Sequence, residues 1–418
     1  MWTVYVGGGP RRVNHAAVAI GDRIFSFGGY CSGEQMSNNQ PIDIHELNTN
    51  TYRWRVIHAS NKQCTVDESM PEQHVWSHSE MEGNDQKLSE EELTRLAVPY
   101  QRYGHTVVAY AGKAYLWGGR NDEYGASAHL HEFDPVSCRW RYVETGGFRP
   151  PARDGHTAVV IDQKMFLFGG FEEEAQRFSQ ETYYFDFRFS TWHSLNTIGD
   201  PPQWRDFHTA VALGSKMYVF GGRSDQMGQY HSTRDTYCQQ LKVLDVTTKK
   251  WTLLPPSGER TPSGRRSHSA WTYNGKMYMF GGFNGTMSTH YDELWCYDPD
   301  LNKWTKMNPI ALATPPCARR RQCTVVVGHR VFLFGGTTPT EATVSNGNMA
   351  LTDLADLYVL DYSPSLGTFA ARSAIDSGMF EKHANLLTRP VRMELEYMTA
   401  PNKVGNEYSN NNRDFTNG

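Results

Sequence analysis

The sequence predicts an all-β fold, a six-bladed β-propeller closed by its N-terminal strand and followed by a small C-terminal helical segment. Three observations carry this. A glycine pair recurs six times, as Gly28-Gly29, Gly118-Gly119, Gly169-Gly170, Gly221-Gly222, Gly281-Gly282 and Gly335-Gly336. His15, His105, His156, His208 and His268 each stand 13 positions before the first glycine of a pair, and Cys323, one position closer to Gly335, takes that place in the sixth copy. Three residues before each of these stands an arginine: Arg12, Arg102, Arg153, Arg205, Arg265 and Arg320. Apolar runs around a short turn, such as Asn274-Gly275, make each copy begin as a β-hairpin.

A second pair of strands follows each hairpin. Asp292 to Asp298 alternates in the strand manner, then a turn leads to a tryptophan, and Trp54, Trp140, Trp192, Trp251 and Trp304 follow the first five glycine pairs in this way. Four strands recurring at roughly 50 residues are the content of a propeller blade. The sixth copy reaches Leu357-Tyr358-Val359-Leu360-Asp361 with no tryptophan after it, and the missing residue is found at the other end of the chain as Trp2. Trp2 to Val6 is therefore expected to be the outer strand of the sixth blade, hiding the sheet edges and clamping first blade to last.

The propeller is assigned to residues 1–362. Within it, 59–97 is a surplus of about 40 residues, polar and poor in aliphatics, and reads as an inserted loop. Residues 363–400 read as a helical segment: Ser363 and Pro364 resemble an N-cap and N1 pair, Leu366, Phe369, Ala370 and Ala374 follow at helical spacing, and Leu387, Val391, Leu395 and Met398 form a second stripe. Residues 401–418 are rich in asparagine and read as a disordered tail.

Composition narrows the function classes. The chain has 418 residues and a formal charge of −4, so no global basic field draws it to nucleic acid or to an anionic membrane. No apolar run has the length of a membrane span, and the first residues lack the apolar core of a signal peptide. The 7 cysteines are scattered without a CxxC pair, which suits a reducing compartment. No His-x-x-His or paired Cys/His spacing supports a metal, and no cofactor is expected.

Topology names the functional surface. An antiparallel hairpin brings the start of its first strand and the end of its second to one edge, so residues before each histidine and after each glycine pair converge on a central pocket. Arg223, Arg266 and Arg321 come from blades four to six and Arg120 from blade two; Asp154 and Asp206 come from blades three and four. Tyr30, Tyr103, Phe171, Phe207 and Phe283 lie between them, and Ser267 follows Arg266. Arginines can clamp a carboxylate through paired hydrogen bonds, and carboxylates can hold a cationic side chain, so a pocket with both and with aromatic walls suits a peptide end. These charges could equally pair with one another across the ring. The arginine common to all six blades and the histidine repeated in five read as scaffold, the histidine as a buried hydrogen-bonding residue rather than a base or ligand.

The glycine pair, the later Tyr or Phe and the tryptophan resemble kelch repeats over about residues 2–362. The helix from Ser365 to Ala374 is similar to the elongin-binding box of ubiquitin-ligase substrate receptors, with Leu366, Ala370 and Ala374 on one face, although Ala370 stands where the box carries Cys and Gly367 weakens the helix. Leu387 to Leu395 resembles the cullin-2 box that follows it, with Pro390 two positions late. The resemblance implies a non-catalytic substrate receptor of a cullin-2 RING ubiquitin ligase, cytoplasmic and nuclear, with elongin B, elongin C and cullin-2 as partners. It implies binding of protein C-termini that end in glycine after a basic or polar residue. By likeness to a diglycine-binding receptor, Arg223 and Arg266 take the terminal carboxylate. The chain itself ends in Asn417-Gly418, which suggests self-association through its own tail. Two alternatives stand beside this: a kelch interaction scaffold with no ligase link, cytoskeletal or chromatin-associated, and a propeller enzyme of the copper-oxidase or sialidase kind.

Overall fold

The computed structural model describes residues 1–34, 40–59, 96–255, 260–343 and 349–404. Six antiparallel blades, each built on four strands, stand around one axis. Blade 4 shows the plan: Thr209–Leu213, Lys216–Phe220, Leu241–Asp245 and Lys250–Leu254 pair in order from the axis outward. The innermost strands of successive blades touch all the way round, blade 6 back to blade 1.

Each blade is too thin to bury its own apolar faces, so the cores lie between blades. Val159, Phe166 and Phe168 of blade 3 pack with Met217, Val219 and Leu244 of blade 4. The blade tryptophan seals each seam by meeting the aromatic residue ahead of the preceding blade's glycine pair: Trp251 lies 5.2 Å from Phe168, Trp304 5.3 Å from Phe220 and Trp140 5.5 Å from Phe27.

The closure is as expected. Trp2–Val6 pairs antiparallel with Leu357–Asp361 as the outer strand of blade 6, with Val4 opposite Val359. Trp2 takes the blade-6 place at 6.0 Å from Phe280, and Trp54 of blade 1 meets Phe334 of blade 6 at 5.0 Å.

The repeated polar residues hold the hairpins together. The guanidinium Nη1 of Arg102, Arg153, Arg205 and Arg265 donates to the carbonyl of the first glycine of its own blade's pair, at 3.3, 3.0, 2.6 and 3.1 Å. In blade 6 that residue is Arg319, which donates to Gly335 O at 3.3 Å, and not Arg320. The histidine place there is likewise filled by Gln322 and not by Cys323: its Nε2 donates to Phe280 O at 3.0 Å, as the His105 ring meets Phe27 O at 3.1 Å. The register of the sixth copy is thus one residue earlier than expected.

The glycine pair is forced by this packing. Gly221 has φ +72°, and a Cβ there would lie 2.5 Å from Arg265 O and 2.6 Å from the next blade's His268 ring; Gly222 has φ +97°, with His208 Cβ at 2.8 Å. The five histidines are buried and neutral at pH 7. Burial, then the adjacent arginine, pushes His15, His105 and His268 down to about 3.

After the ring come three helices, α1 (Leu366–Asp376), α2 (Met379–His383) and α3 (Arg389–Thr399). The α1 N-cap is Ser365, whose hydroxyl accepts from Thr368 N at 3.0 Å, and not Ser363, whose N–H is taken by Asp361 Oδ1 at 2.8 Å. Ala371, Leu395 and Met398 join the core between blades 6 and 1, and Asn402 latches to the outer strand of blade 1 by accepting from Trp54 N at 2.9 Å. The appendage covers the seam that Trp2–Val6 closes. None of these helices is long and apolar enough to cross a membrane. Residues 401–404, expected in a disordered tail, are ordered instead, Val404 in the same core as Leu395 and Asn402 bonded to blade 1; the rest of the tail, 405–418, and most of the insert, 60–95, lie outside the described residues.

Candidate functional site

One layer of six residues sits where the blades converge, two positions after each scaffold arginine. Asn14, Gly104, Gly155, Phe207, Ser267 and Arg321 all have positive φ, from 48° to 68°. Their peptide groups close a circle of N–H···O=C bonds around the axis: Gly104 to Asn14, Gly155 to Gly104, Phe207 to Gly155, Ser267 to Phe207, Arg321 to Ser267 and Asn14 to Arg321, at 2.7–3.3 Å. The circle fixes the floor of the pocket and aims the residues beside it at the cavity.

The residue before each of these faces the one after the glycine pair. The couples are Val13 with Tyr30, Tyr103 with Arg120, Asp154 with Phe171, Asp206 with Arg223, Arg266 with Phe283, and Arg320 with Thr337. Tyr30, Tyr103, Arg120, Asp154, Phe171, Asp206, Arg223 and Arg266 of these couples line a cavity of about 700 Å³. Of the residues expected there, Arg120, Asp154, Phe171, Asp206, Phe207, Arg223, Arg266 and Arg321 line its wall. Ser267 lies in the floor layer, and its Oγ is buried without a hydrogen-bond partner. Phe283 lies against the arginines beside the wall, 5.7 Å from the Arg266 guanidinium and 4.3 Å from that of Arg320.

The charges divide into two poles, but not where the sequence reading divides them. Arg223 belongs to the acidic pole. Its Nε and Nη2 bind Asp206 Oδ1 and Oδ2 at 3.1 and 2.5 Å, and although burial works against its charge, Asp206 holds its pKa above the ordinary arginine value. Arg120 is likewise engaged, with Glu173 at 3.1 Å. Asp154 has no ion-pair partner among the described residues, and burial together with Asp206 raises it to about 7.

The basic pole is Arg266, Arg320 and Arg321. None of the three is ion-paired to a described residue, and all three Nε atoms are buried without a partner. Arg321 Nη1 donates to the Tyr30 hydroxyl at 2.7 Å. Burial, then repulsion from Arg321 and Arg266, pushes Arg320 down to about 9, and burial also lowers Arg321. Arg320 was not expected at this pole; the thirteen-residue spacing to Gly335, applied strictly, puts the histidine place at 322 and so frees Arg320 for the wall layer.

Asp225, His231 and Asp235 bring three potential metal-ligand atoms within 4.8 Å of one another. The Asp225 carboxylate is already occupied, accepting from Met227 N, Ser232 N and Ser232 Oγ at 2.9, 2.6 and 2.6 Å, and so serves its loop.

The expected adaptor face is divided by the fold. Leu366 is 87% exposed and Ala370 exposed, while Ala374 is half-buried and the opposite side of α1, Ala371, faces the propeller.

Comparison with known proteins agrees with this architecture. Residues 104–336 match the family model described as the KLHDC2/KLHL20/DRC7 Kelch-repeats domain, and residues 11–58 match the Kelch motif. The chain is 40% identical to Kelch domain-containing protein 3 of Homo sapiens over 407 residues, covering 96% of this chain and 97% of that protein, and equally so to its Bos taurus counterpart. Host cell factor 2 of Homo sapiens is 28% identical over 256 residues, covering 58% of this chain and 31% of that protein.

Proposed function

We infer the role of the pocket from one premise: the chain belongs to the kelch-repeat family, alongside Kelch domain-containing protein 3, and is a protein-interaction propeller. We propose that it is the substrate-recognition subunit of a cullin-2 RING ubiquitin ligase and binds protein C-termini ending in glycine.

The observation that carries the reading is the basic pole. Arg266 and Arg321 stand on the cavity wall without an ion pair to any described residue, while Arg223 is held by Asp206. The terminal carboxylate is therefore assigned to Arg266 and Arg321, with the unpartnered Ser267 hydroxyl beside them, rather than to Arg223 and Arg266. A basic side chain one residue upstream meets Asp154 at the opposite pole. The preference for a terminal glycine is carried over from the family likeness, with Phe207 and Tyr30 as the aromatic wall beside the arginines.

The outward Leu366–Ala370 face of α1 supports an elongin contact, since a helix laid in a groove needs one uncovered apolar stripe. The packing of Ala371, Leu395 and Met398 on the ring favours the second reading, a kelch scaffold with no ligase link. Binding of a peptide ending in Arg-Gly, as free acid and as amide, tests the pocket, and capture of elongin B and elongin C by the purified chain separates receptor from scaffold.

A further inference from the structure

We propose that the basic pole is a binding site for a divalent tetrahedral oxyanion, of which inorganic phosphate is the simplest. The site is Arg266, Arg320 and Arg321, with His290 beside them. Arg266 and Arg321 line the cavity of the proposed peptide site, and Arg320 and His290 meet them around Phe283, so the site stands on the arginine cluster, whatever the cavity's protein ligand.

The rest of the ring shows what the fold does with buried guanidiniums. Arg153 has Glu172 at 2.6 Å, Arg265 has Glu293 at 2.8 Å, and Arg319, next in sequence to Arg320, has Asp356 at 2.7 Å. Arg223 has Asp206. Arg102 and Arg205 have no paired carboxylate among the described residues but spend Nε and Nη1 on backbone carbonyls; Arg266, Arg320 and Arg321, on two adjacent blades, have neither a paired carboxylate nor a backbone acceptor there.

Their charge is offset only in part, by Asp353 near Arg321 and Asp206 near Arg266 without an ion-pair contact. Arg320 and Arg266 share Phe283, at 4.3 and 5.7 Å, and a ring face screens a cation only in part. His290, 4.5 Å from Phe283, adds no negative charge; its Nε2 is buried without a partner. One buried and two half-buried like charges with three orphaned Nε donors call for an external anion.

A lone carboxylate supplies one charge and two oxygens. A phosphate dianion supplies two charges and up to four oxygens, enough to receive donors from all three arginines, and guanidinium geometry suits it. The carboxylate and the dianion then compete for one pole, so phosphate occupies the empty pocket and a C-terminus must displace it.

The test is titration of the full chain with sodium phosphate against sodium chloride at equal ionic strength, read by calorimetry and by the melting transition. Saturable, phosphate-specific binding is expected. Arg320→Gln and Arg266→Gln should each weaken it roughly tenfold, the usual loss for one charge-assisted hydrogen bond. Arg139→Gln, on the exposed outer strand of blade 2, should leave it unchanged. If Arg320→Gln does not fold, Arg321→Gln is read in its place. Phosphate that binds no better than chloride, or folded arginine variants that bind it as the parent does, overturn the site. A phosphoserine peptide with an amidated end forms a second arm: competition by it below the phosphate concentration needed assigns the dianion to a modified protein, and competition by phosphate alone to the free ion, either supporting the site. Phosphate binding without Arg-Gly peptide binding would remove the peptide reading and leave this one standing.

Discussion

Arg223 and Asp206 face each other across the inner bridge of blade 4, joined by two charge-assisted hydrogen bonds at 2.5 and 3.1 Å. The pair engages the arginine that sequence likeness assigns to a ligand, whereas Arg266 and Arg321 have no ion pair to a described residue. With only 19% of its side chain exposed, Arg223 depends on its partner. Asp206→Asn should cost about 3–5 kcal/mol of stability, the range for breaking a buried pair from one side. Urea unfolding measures it, and a loss under about 1 kcal/mol would show that solvent replaces the aspartate.

The ring should fail as a unit when its clasp is removed. Trp2–Val6 supplies the outer strand of blade 6, and Gly7 accepts from Asn402 N at 2.8 Å, so the same segment anchors the helical appendage. Deleting residues 1–8 is expected to abolish cooperative unfolding, seen as the loss of a sharp calorimetric transition. An unchanged melting curve would contradict the closure.

Acid and base should act on stability with opposite signs at two kinds of site. The buried histidines, such as His15, His105 and His268, have folded values near 3, below the ordinary 6.5 of the unfolded chain. Their contribution is full above pH 6.5 and is lost as pH falls, by about 2 kcal/mol per histidine between pH 6.5 and 5. Asp154 runs the other way. Its folded value near 7 lies above 3.8, so its cost is absent in acid, grows as pH rises from about 4 to 7, and is complete above that. Asp154→Asn should therefore stabilise the protein at pH 8, by about 2–4 kcal/mol, and do little at pH 4. Urea midpoints across pH 4–8 check both; equal effects of the substitution at both ends would place Asp154 in water.

The two sides of α1 should separate binding from folding. Leu366 is 87% exposed, so Leu366→Asp is expected to leave the melting temperature within error and to abolish elongin capture. Ala371 lies in the core against blade 6, so Ala371→Glu should lower the melting temperature by several degrees. Elongin capture that survives Leu366→Asp would contradict the adaptor face.

The ring was legible in sequence because each of its marks meets a need that few residues satisfy. Gly221 and Gly222 must have positive φ and admit no Cβ, the seam needs a large ring at Trp251, and closure needs the tryptophan that the last blade lacks. Blade 6 misled because Gln322 does the work of a histidine: its amide reaches Phe280 O as the imidazole does elsewhere, so residue identity changed while geometry did not. That one-residue error kept Arg320 among the scaffold arginines. The Arg223–Asp206 pair escaped for a different reason. Its members come from opposite strands of one hairpin, and only the cross-strand register, residue before the floor layer against residue after the glycine pair, brings them together. The α1 cap moved by two residues because Asp361 claims Ser363 for a turn, leaving Ser365 to start the helix.

On the proposed reading, the basic pole captures a free C-terminal carboxylate. Fluorescent peptides ending in Arg-Gly, one as the free acid and one amidated, measure it directly on the parent chain and on Arg266→Ala and Arg321→Ala. Tight binding of the free acid alone is expected, with each substitution costing about 2–5 kcal/mol. Equal binding of acid and amide, or full affinity after Arg266→Ala, would contradict it and leave the propeller as an interaction scaffold.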